Sequence, residues 1–188
     1  MPLRRRSLIA TAIALSIGPA MTEAAEPALD PNTTIYMDLK YDRVVIRTYP
    51  DIAPLAVQRI ITLSNEGFYD NTPFHRVIEG FMAQGGDPTG TGTGGSPLPN
   101  LPAEFTDKLH FIRGTCGMAR TSDPDSANSQ FFIMFAPAPH LDGQYTIWGQ
   151  VVQGMEFVDQ IKRGSGASGM VQDPDRIVRM RTIAHESS

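Results

Sequence analysis

The chain has 188 residues, of which 41% are hydrophobic and 19% are charged, and its formal net charge is −4. These proportions predict one globular domain with a full hydrophobic core, and the absence of a basic patch argues against a nucleic acid as partner. The 15 Pro and 17 Gly residues predict many turns and few long helices.

The first 25 residues have the layout of a secretory signal peptide. A cluster of three arginines at 4–6 is followed by an apolar run at 8–17, a Gly-Pro break and several small alanines. We therefore predict export to the periplasm or the medium, by the Sec route or, since Arg5-Arg6 loosely matches a twin-arginine signal, by that route. An N-terminal membrane anchor stays open as the alternative, although the apolar run is short for a membrane span.

The elements that follow begin with an extended lead-in at 26–32 and a hairpin. Residues 33–39 and 44–48 alternate between apolar and polar side chains, as two paired strands do. Asp51 can cap a helix that begins near Pro54 and carries a broad apolar face, and Gly67 is placed to end it.

A second hairpin is predicted at 74–87, with the sequence FHRVIEGFMAQGGD and a turn at Glu79-Gly80. Side chains two apart in a strand share a face, so we expect Phe74, Arg76 and Ile78 on one side. The pattern has two interpretations: a binding site with a cationic fork beside apolar groups, or a core hairpin whose arginine reaches out to solvent.

The rest of the chain consists mostly of short strands. A long loop at 88–102 leads to predicted strands at 115–120, 129–135, 145–152 and 177–184, with a short helix at 155–162. Many short strands with two helices indicate a mainly β fold, either a sandwich or a sheet closed on itself, with the helices over its ends.

Three features with possible chemistry have simpler explanations. The glycines at 90–95 satisfy G-x-G-x-x-G, but a Ser-Pro-Leu-Pro run follows where a dinucleotide site needs a helix. The four histidines lack the spacing of metal ligands, so no metal is predicted. The single cysteine, Cys116, lies in an apolar strand and is expected to be a buried thiol rather than a nucleophile.

Four segments, in this order and spacing, resemble the cyclophilin family of peptidyl-prolyl cis–trans isomerases. They are residues 74–87, 117–120 (GMAR), 129–133 (SQFFI) and 141–149 (LDGQYTIWG). The resemblance implies a closed eight-stranded antiparallel β-barrel capped by two α-helices, formed by residues 33–185, with no cofactor and no metal.

The same resemblance implies roles for individual residues. Arg76 matches the catalytic arginine and Gln84 the amide that holds the substrate backbone. The walls of the proline pocket match Phe81, Met82, Phe132 and Leu141. Arg76, Phe81, Gln84 and Phe132 are thus the expected catalytic set.

Further substrate-binding positions include two departures from the commonest pattern. Ala119 and Arg120 match the edge that pairs with a bound peptide, Arg120 standing in place of an asparagine. Tyr145 takes the place of a pocket histidine and His140 that of a tryptophan. The second departure implies weak binding of cyclosporin.

Two functions remain open from the sequence. The first is an exported, monomeric prolyl isomerase acting on proline-containing polypeptides during their folding. The second is a non-catalytic chaperone or scaffold of the same fold, which would protect clients equally well without the Arg76 guanidinium.

Overall fold

The structure is a computed structural model that describes residues 28–186. The predicted signal peptide at 1–25, and the start of the lead-in at 26–32, lie outside the described residues. Between residues 28 and 186, no helix has the length and apolar character needed to cross a membrane.

The described residues form one antiparallel sheet of eight strands. Their spatial order is β3-β4-β6-β5-β7-β2-β1-β8, so one end of the sheet is the hairpin of β3 and β4, and the other end pairs the first strand, β1, with the last, β8. The strands are β1 (Thr34–Asp38), β2 (Arg43–Thr48), β3 (Arg76–Ile78), β4 (Met82–Gly85), β5 (Thr115–Met118), β6 (Phe131–Met134), β7 (Ile147–Gln153) and β8 (Arg179–Thr182).

The curled sheet confirms the mainly β fold, but the closed barrel that was expected is not confirmed. Strands β3 and β8 are the two edges of the sheet, and no ladder joins them. The segment just before β3 and the segment just before β8 do meet, along a line that we call the seam. Here the Phe74 N–H donates to the Asp175 carbonyl and the Ile177 N–H to the Thr72 carbonyl, both at 2.9 Å. Pro73 and Arg176 form only an isolated antiparallel bridge in this seam, and Arg76 of β3 bridges Met170 instead of β8.

The first helix, α1 (Pro54–Asn65), begins differently from the prediction. Its N-cap is Ala53, without a side-chain hydrogen bond, so Asp51 does not cap it. Instead the Glu104 carboxylate accepts hydrogen bonds from the Leu55 and Ala56 N–H groups at 3.0 and 2.9 Å. A carboxylate at this end is favourable because the first N–H groups of a helix have no partner within it. The predicted stop is confirmed, since Gly67 follows the helix with a φ of 78°.

The remaining helices are short. Helix α2 (Met155–Val158) ends before the predicted boundary at 162. The N–H groups of Gln160 and Ile161 donate to carbonyls three residues back, at 3.2 and 3.1 Å, and the Lys162 N–H donates to the Asp175 carboxylate at 2.9 Å, so the α-helical pattern does not continue. Helix α3 (Ile183–Glu186) takes up the end of the strand predicted to reach 184. A single 3-10 turn, Pro139–Leu141, lies before β7.

Two hydrophobic clusters occupy opposite faces of the central strands. Along β6, Phe131 and Ile133 belong to the main core, while Phe132 and Met134 belong to a second, smaller cluster. This is the alternation expected of a strand buried on both faces. The smaller cluster consists of Met82, Phe111, Phe132, Met134, Ala138, Leu141 and Ile147. It forms the floor of the site described next.

Candidate active site

The hairpin of β3 and β4 places the predicted arginine opposite the predicted glutamine. Arg76 and Gln84 are register partners, and the turn between the strands is closed by the Phe81 N–H donating to the Ile78 carbonyl at 3.0 Å. Gly80 has a φ of 67°, which suits a glycine in this turn. The turn predicted at Glu79-Gly80 is therefore confirmed.

The Arg76 side chain is half-buried and held at two of its nitrogens. Nε donates to the Ser168 carbonyl at 2.9 Å, and Nη1 donates to Gln84 Oε1 at 3.2 Å. A guanidinium has five N–H groups, so three stay without a partner among the described residues. Arg76 is therefore positioned by the protein and still has donors for a ligand.

The predicted sharing of one face by Phe74, Arg76 and Ile78 is wrong for Phe74. Strand β3 begins only at Arg76, and Phe74 is fully buried in the main core with Val77. Ile78 packs against the smaller cluster. The alternation fails because the chain at Phe74 follows the seam with residue 175 instead of the β3–β4 ladder.

A cavity of about 200 Å³ opens beside Arg76, and it brings together nine of the ten residues that were predicted for the site. Its volume suits one small ring or side chain rather than a large ligand, for which pockets are typically about 300 Å³ or more. It is lined by Arg76, Phe81, Met82, Gln84, Ala119, Arg120, Phe132, Leu141 and Tyr145.

The apolar floor of the cavity is fixed by ring packing around Phe132. This ring lies 5.6 Å from Phe111 in a stacked arrangement and 5.7 Å from Tyr145 edge-on. Gly117 lies beneath both phenylalanines: a Cβ there would come within 2.5 Å of Phe132 Cζ and 2.8 Å of Phe111 Cε1. Glycine at 117 is thus needed for Phe132 to sit where it does.

His140 is the predicted residue that does not line the cavity. It is exposed, and its ring stacks on Phe81 with the centroids 5.9 Å apart. It therefore touches the pocket only through Phe81.

The sequence-based prediction missed Gln130, which connects the site to the glycine-rich loop. Gln84 Nε2 donates to Gln130 Oε1 at 3.0 Å, and Gln130 Nε2 donates to the carbonyls of Gly92 and Gly94 at 3.0 and 2.8 Å. We call the series Arg76–Gln84–Gln130–loop the amide relay. One signal in the sequence could have pointed to Gln130: it is a polar amide side chain in a strand whose other residues are predicted to be buried.

Asp87 organises the glycine-rich loop itself. Its fully buried carboxylate accepts hydrogen bonds from the N–H groups of Thr89, Gly92 and Gly94 at 2.8, 2.7 and 3.1 Å. Burial alone would raise the pKa of Asp87, but these bonds and that of the Thr89 hydroxyl outweigh it and hold the pKa below its usual value. Three N–H groups of the loop are thus used by the protein's own carboxylate.

Two other side chains of chemical interest lie inside the protein. His75 is 2% exposed, and burial lowers its pKa although the nearby Asp87 carboxylate opposes this. Cys116 is buried, as predicted, and burial raises the pKa of its thiol. Within residues 28–186, no group of three or more His, Cys, Asp or Glu side chains could hold a metal ion.

The described residues thus form a curled antiparallel sheet with a half-buried arginine at the mouth of a small apolar pocket, which the half-buried segment Ala119–Arg120 borders. The chain belongs to the family described as cyclophilin type peptidyl-prolyl cis-trans isomerase, whose sequence model matches residues 34–182.

Relatives across bacteria and a solved eukaryotic structure agree with this family. A probable peptidyl-prolyl cis-trans isomerase of Brucella abortus (strain 2308) is 49% identical over 192 residues, covering 95% of this chain and 96% of the relative. Peptidyl-prolyl cis-trans isomerase B of Bacillus subtilis (strain 168) is 43% identical over 124 residues, 65% of this chain and 85% of the relative. A Cryptosporidium parvum cyclophilin type isomerase, crystallised in the presence of the dipeptide Ala-Pro, superposes with a TM-score of 0.74 at 32% identity, covering 79% of this chain and 98% of that one.

Proposed function

We propose that this protein accelerates rotation about X-Pro peptide bonds, with Arg76 as the catalytic group and the adjoining cavity as the proline site. The observation that carries the proposal is the position of Arg76: anchored through Nε and Nη1, it borders an apolar pocket of ring size with three N–H groups to spare.

The chemistry asks for a donor that acts only in the transition state. An X-Pro bond rotates slowly because amide resonance sets a barrier of roughly 20 kcal/mol. When the bond is twisted the resonance is lost, and the proline nitrogen regains a lone pair. A hydrogen bond to that lone pair forms in the transition state and not in the ground state, so it lowers the barrier. Arg76 suits this task because its guanidinium stays charged and its donors are rigid.

The pocket holds one side of the rotating bond. Burial of a proline ring against Phe81, Met82, Phe132 and Leu141 contributes roughly 2 kcal/mol. With the ring held, the residue before proline can turn while the ring stays still. No proton transfer and no covalent intermediate is part of this mechanism.

The flanking polypeptide is held by backbone and amide groups. The Ala119 N–H already donates to the Gln130 carbonyl at 2.9 Å, so the Ala119 carbonyl and the Arg120 N–H are the groups that we assign to the client. Gln84 adds its second amide N–H, because only one is used by Gln130. A client segment would then cross the pocket as an added extended strand.

We further propose that the protein acts as an exported monomer on proline-containing polypeptides, with weak binding of cyclosporin. Export is supported by the basic, apolar and small-residue order of residues 1–25, and weak cyclosporin binding by His140 in place of a tryptophan. N-terminal sequencing of protein recovered from the periplasm tests export: a start near residue 26 supports it, and an intact N-terminus in the membrane fraction supports an anchor instead.

Exchange NMR on a short X-Pro peptide tests the proposed function. The chain without residues 1–25, shown by circular dichroism to be folded, is expected to speed cis–trans exchange at catalytic concentration. An exchange rate equal to that of the peptide alone would refute the proposal.

A further inference from the structure

Two arginines border the proline pocket, and neither is neutralised nearby. Arg76 and Arg120 both line the cavity, and among residues 28–186 neither forms an ion pair with a carboxylate. The formal net charge of the whole chain is −4, so this positive mouth is a local feature against an acidic background. Local charge of this kind selects among ligands even where it adds little affinity.

Arg120 also borders a second, polar cavity of about 480 Å³. The two cavities share Gln84, Ala119 and Arg120, so a chain that fills the proline pocket enters the polar cavity within a few residues. The other lining groups of the polar cavity, drawn from residues 92–100 and 121–130, are uncharged.

The Arg120 guanidinium is fixed before any ligand arrives. Nε and Nη2 donate to the Gln144 carbonyl at 3.1 and 2.8 Å, and Nη1 donates to the Thr121 carbonyl at 2.9 Å. The group lies over the Tyr145 ring, with Cζ 4.5 Å from the centroid. Two of its five N–H groups stay without a partner in the described part of the chain. A fixed cation with free donors binds a carboxylate without the cost of ordering its own side chain.

The acidic residues next along the chain are occupied elsewhere. Asp123 accepts a hydrogen bond from the Asp125 N–H, and Asp125 accepts one from the Ala103 N–H. Neither lines the proline pocket or the polar cavity. They weaken the field of Arg120 without filling the place of a ligand carboxylate.

We propose that Arg120 is a specificity-determining residue that favours clients with an aspartate or glutamate close to the isomerised proline, the acidic side chain entering the polar cavity. The proposal rests on the proposed isomerase function and names its substrate class. A purely structural clamp, holding the Gln144–Tyr145 turn, is the competing role for Arg120. That role would change stability but would not produce a preference for charge.

Matched peptides test the preference on the wild-type protein. One series carries Glu, Gln or Lys two residues before the proline, and a second carries them two residues after it, so that either direction of binding is covered. In one series kcat/KM is expected to be about two- to fivefold higher for Glu than for Gln, the size of one partly exposed ion pair, and lower again for Lys. At about 1 M salt the ratios should approach one, because the screening length falls to about 3 Å.

Three variants assign the preference to Arg120. Arg120→Gln should bring the Glu-to-Lys ratio towards one whatever the absolute rate, whereas Arg120→Lys should retain most of it while losing the hydrogen bonds of the clamp. Arg176→Gln is the control for net charge, since Arg176 is exposed and lines neither cavity; its ratios should equal those of the wild type.

The outcomes separate this inference from the function on which it rests. If the wild type accelerates Glu, Gln and Lys peptides equally in both series, the inference is wrong and the isomerase function stands. A preference that persists in Arg120→Gln would also overturn the assignment. If no peptide is accelerated, the proposed function itself fails. Should Arg120→Gln not fold, two results still overturn the inference: equal rates for the Glu, Gln and Lys peptides on the wild type, or loss of the preference in Arg120→Lys, which keeps the charge.

Discussion

Replacement of Arg76 by alanine is the most direct test of the proposed mechanism. The substitution removes a donor that the mechanism uses only in the transition state. A hydrogen bond from a charged donor is worth about 1.5–3 kcal/mol, which corresponds to a loss of about 10- to 150-fold in kcat/KM. Arg76→Lys keeps the charge but cannot reproduce both anchoring bonds of the fork, so it should recover only a small part of the rate.

The fold should survive this substitution. Arg76 is half-buried and lies outside both hydrophobic clusters. The acceptors of its two bonds belong to Ser168, which is exposed, and Gln84, which is half-buried, so water can take the place of the guanidinium. Arg176→Ala is the matched control, because it removes an exposed arginine that makes one bond to the Asn71 carbonyl and lines no part of the site.

Exchange NMR gives the rate, and a parallel titration of the peptide gives its affinity. The expected pattern is a large fall in rate at saturation with a smaller change in affinity, since the donor acts on the twisted bond. A folded Arg76→Ala that retains more than about a third of wild-type kcat/KM would refute the reasoning. A loss confined to affinity would make Arg76 a substrate-holding group instead of the catalytic one.

Three further predictions concern the pocket and its surroundings. The pKa of His75 is lowered in the folded state, so as the pH falls the imidazole is protonated in the unfolded chain before it is protonated in the folded one. The free energy of unfolding should therefore fall as the pH drops below about 6.5. Urea titrations at several pH values should show a smaller fall for His75→Gln. Gly117→Ala should displace Phe132, costing about 1–3 kcal/mol of stability in urea unfolding and reducing kcat/KM for an X-Pro peptide; unchanged kinetics would contradict the packing argument. His140→Trp should raise cyclosporin affinity about tenfold or more in calorimetry through a larger ring with an N–H donor, and equal affinities would show that this position does not limit binding.

The site could be predicted from the sequence largely because its residues lie in short, characteristic segments. The cavity brings together Arg76, Phe132 and Tyr145 from three separate segments, as the resemblance implied. The errors lie where a distant residue decides the local structure. Glu104, rather than the nearby Asp51, accepts the hydrogen bonds of the N–H groups at the start of α1. Glu104 lies about fifty residues further along the chain, and no local sequence pattern predicts such a partner.

The two ends of the sheet show the same limit. Pattern and turn signals located the strands to within a few residues, but the seam depends on how residues 71–74 meet residues 175–177, and this is a long-range property. Phe74 illustrates the consequence. Alternation along one strand predicts it on the same face as Arg76, but its N–H pairs with the Asp175 carbonyl across the seam and its side chain lies in the main core. Periodicity holds only within a strand, and here the strand is three residues long.

The amide relay explains why a loop without chemistry of its own matters to the site. Gln84 uses Oε1 to accept from Arg76 and Nε2 to donate to Gln130, so its amide can face only one way. Gln130 is oriented in turn because its Nε2 donates to two loop carbonyls, those of Gly92 and Gly94. The N–H groups of these two glycines bind the buried Asp87, which sets the place of their carbonyls. The glycine-rich loop therefore acts at a distance, by fixing the direction in which Gln84 presents its remaining N–H to a bound peptide.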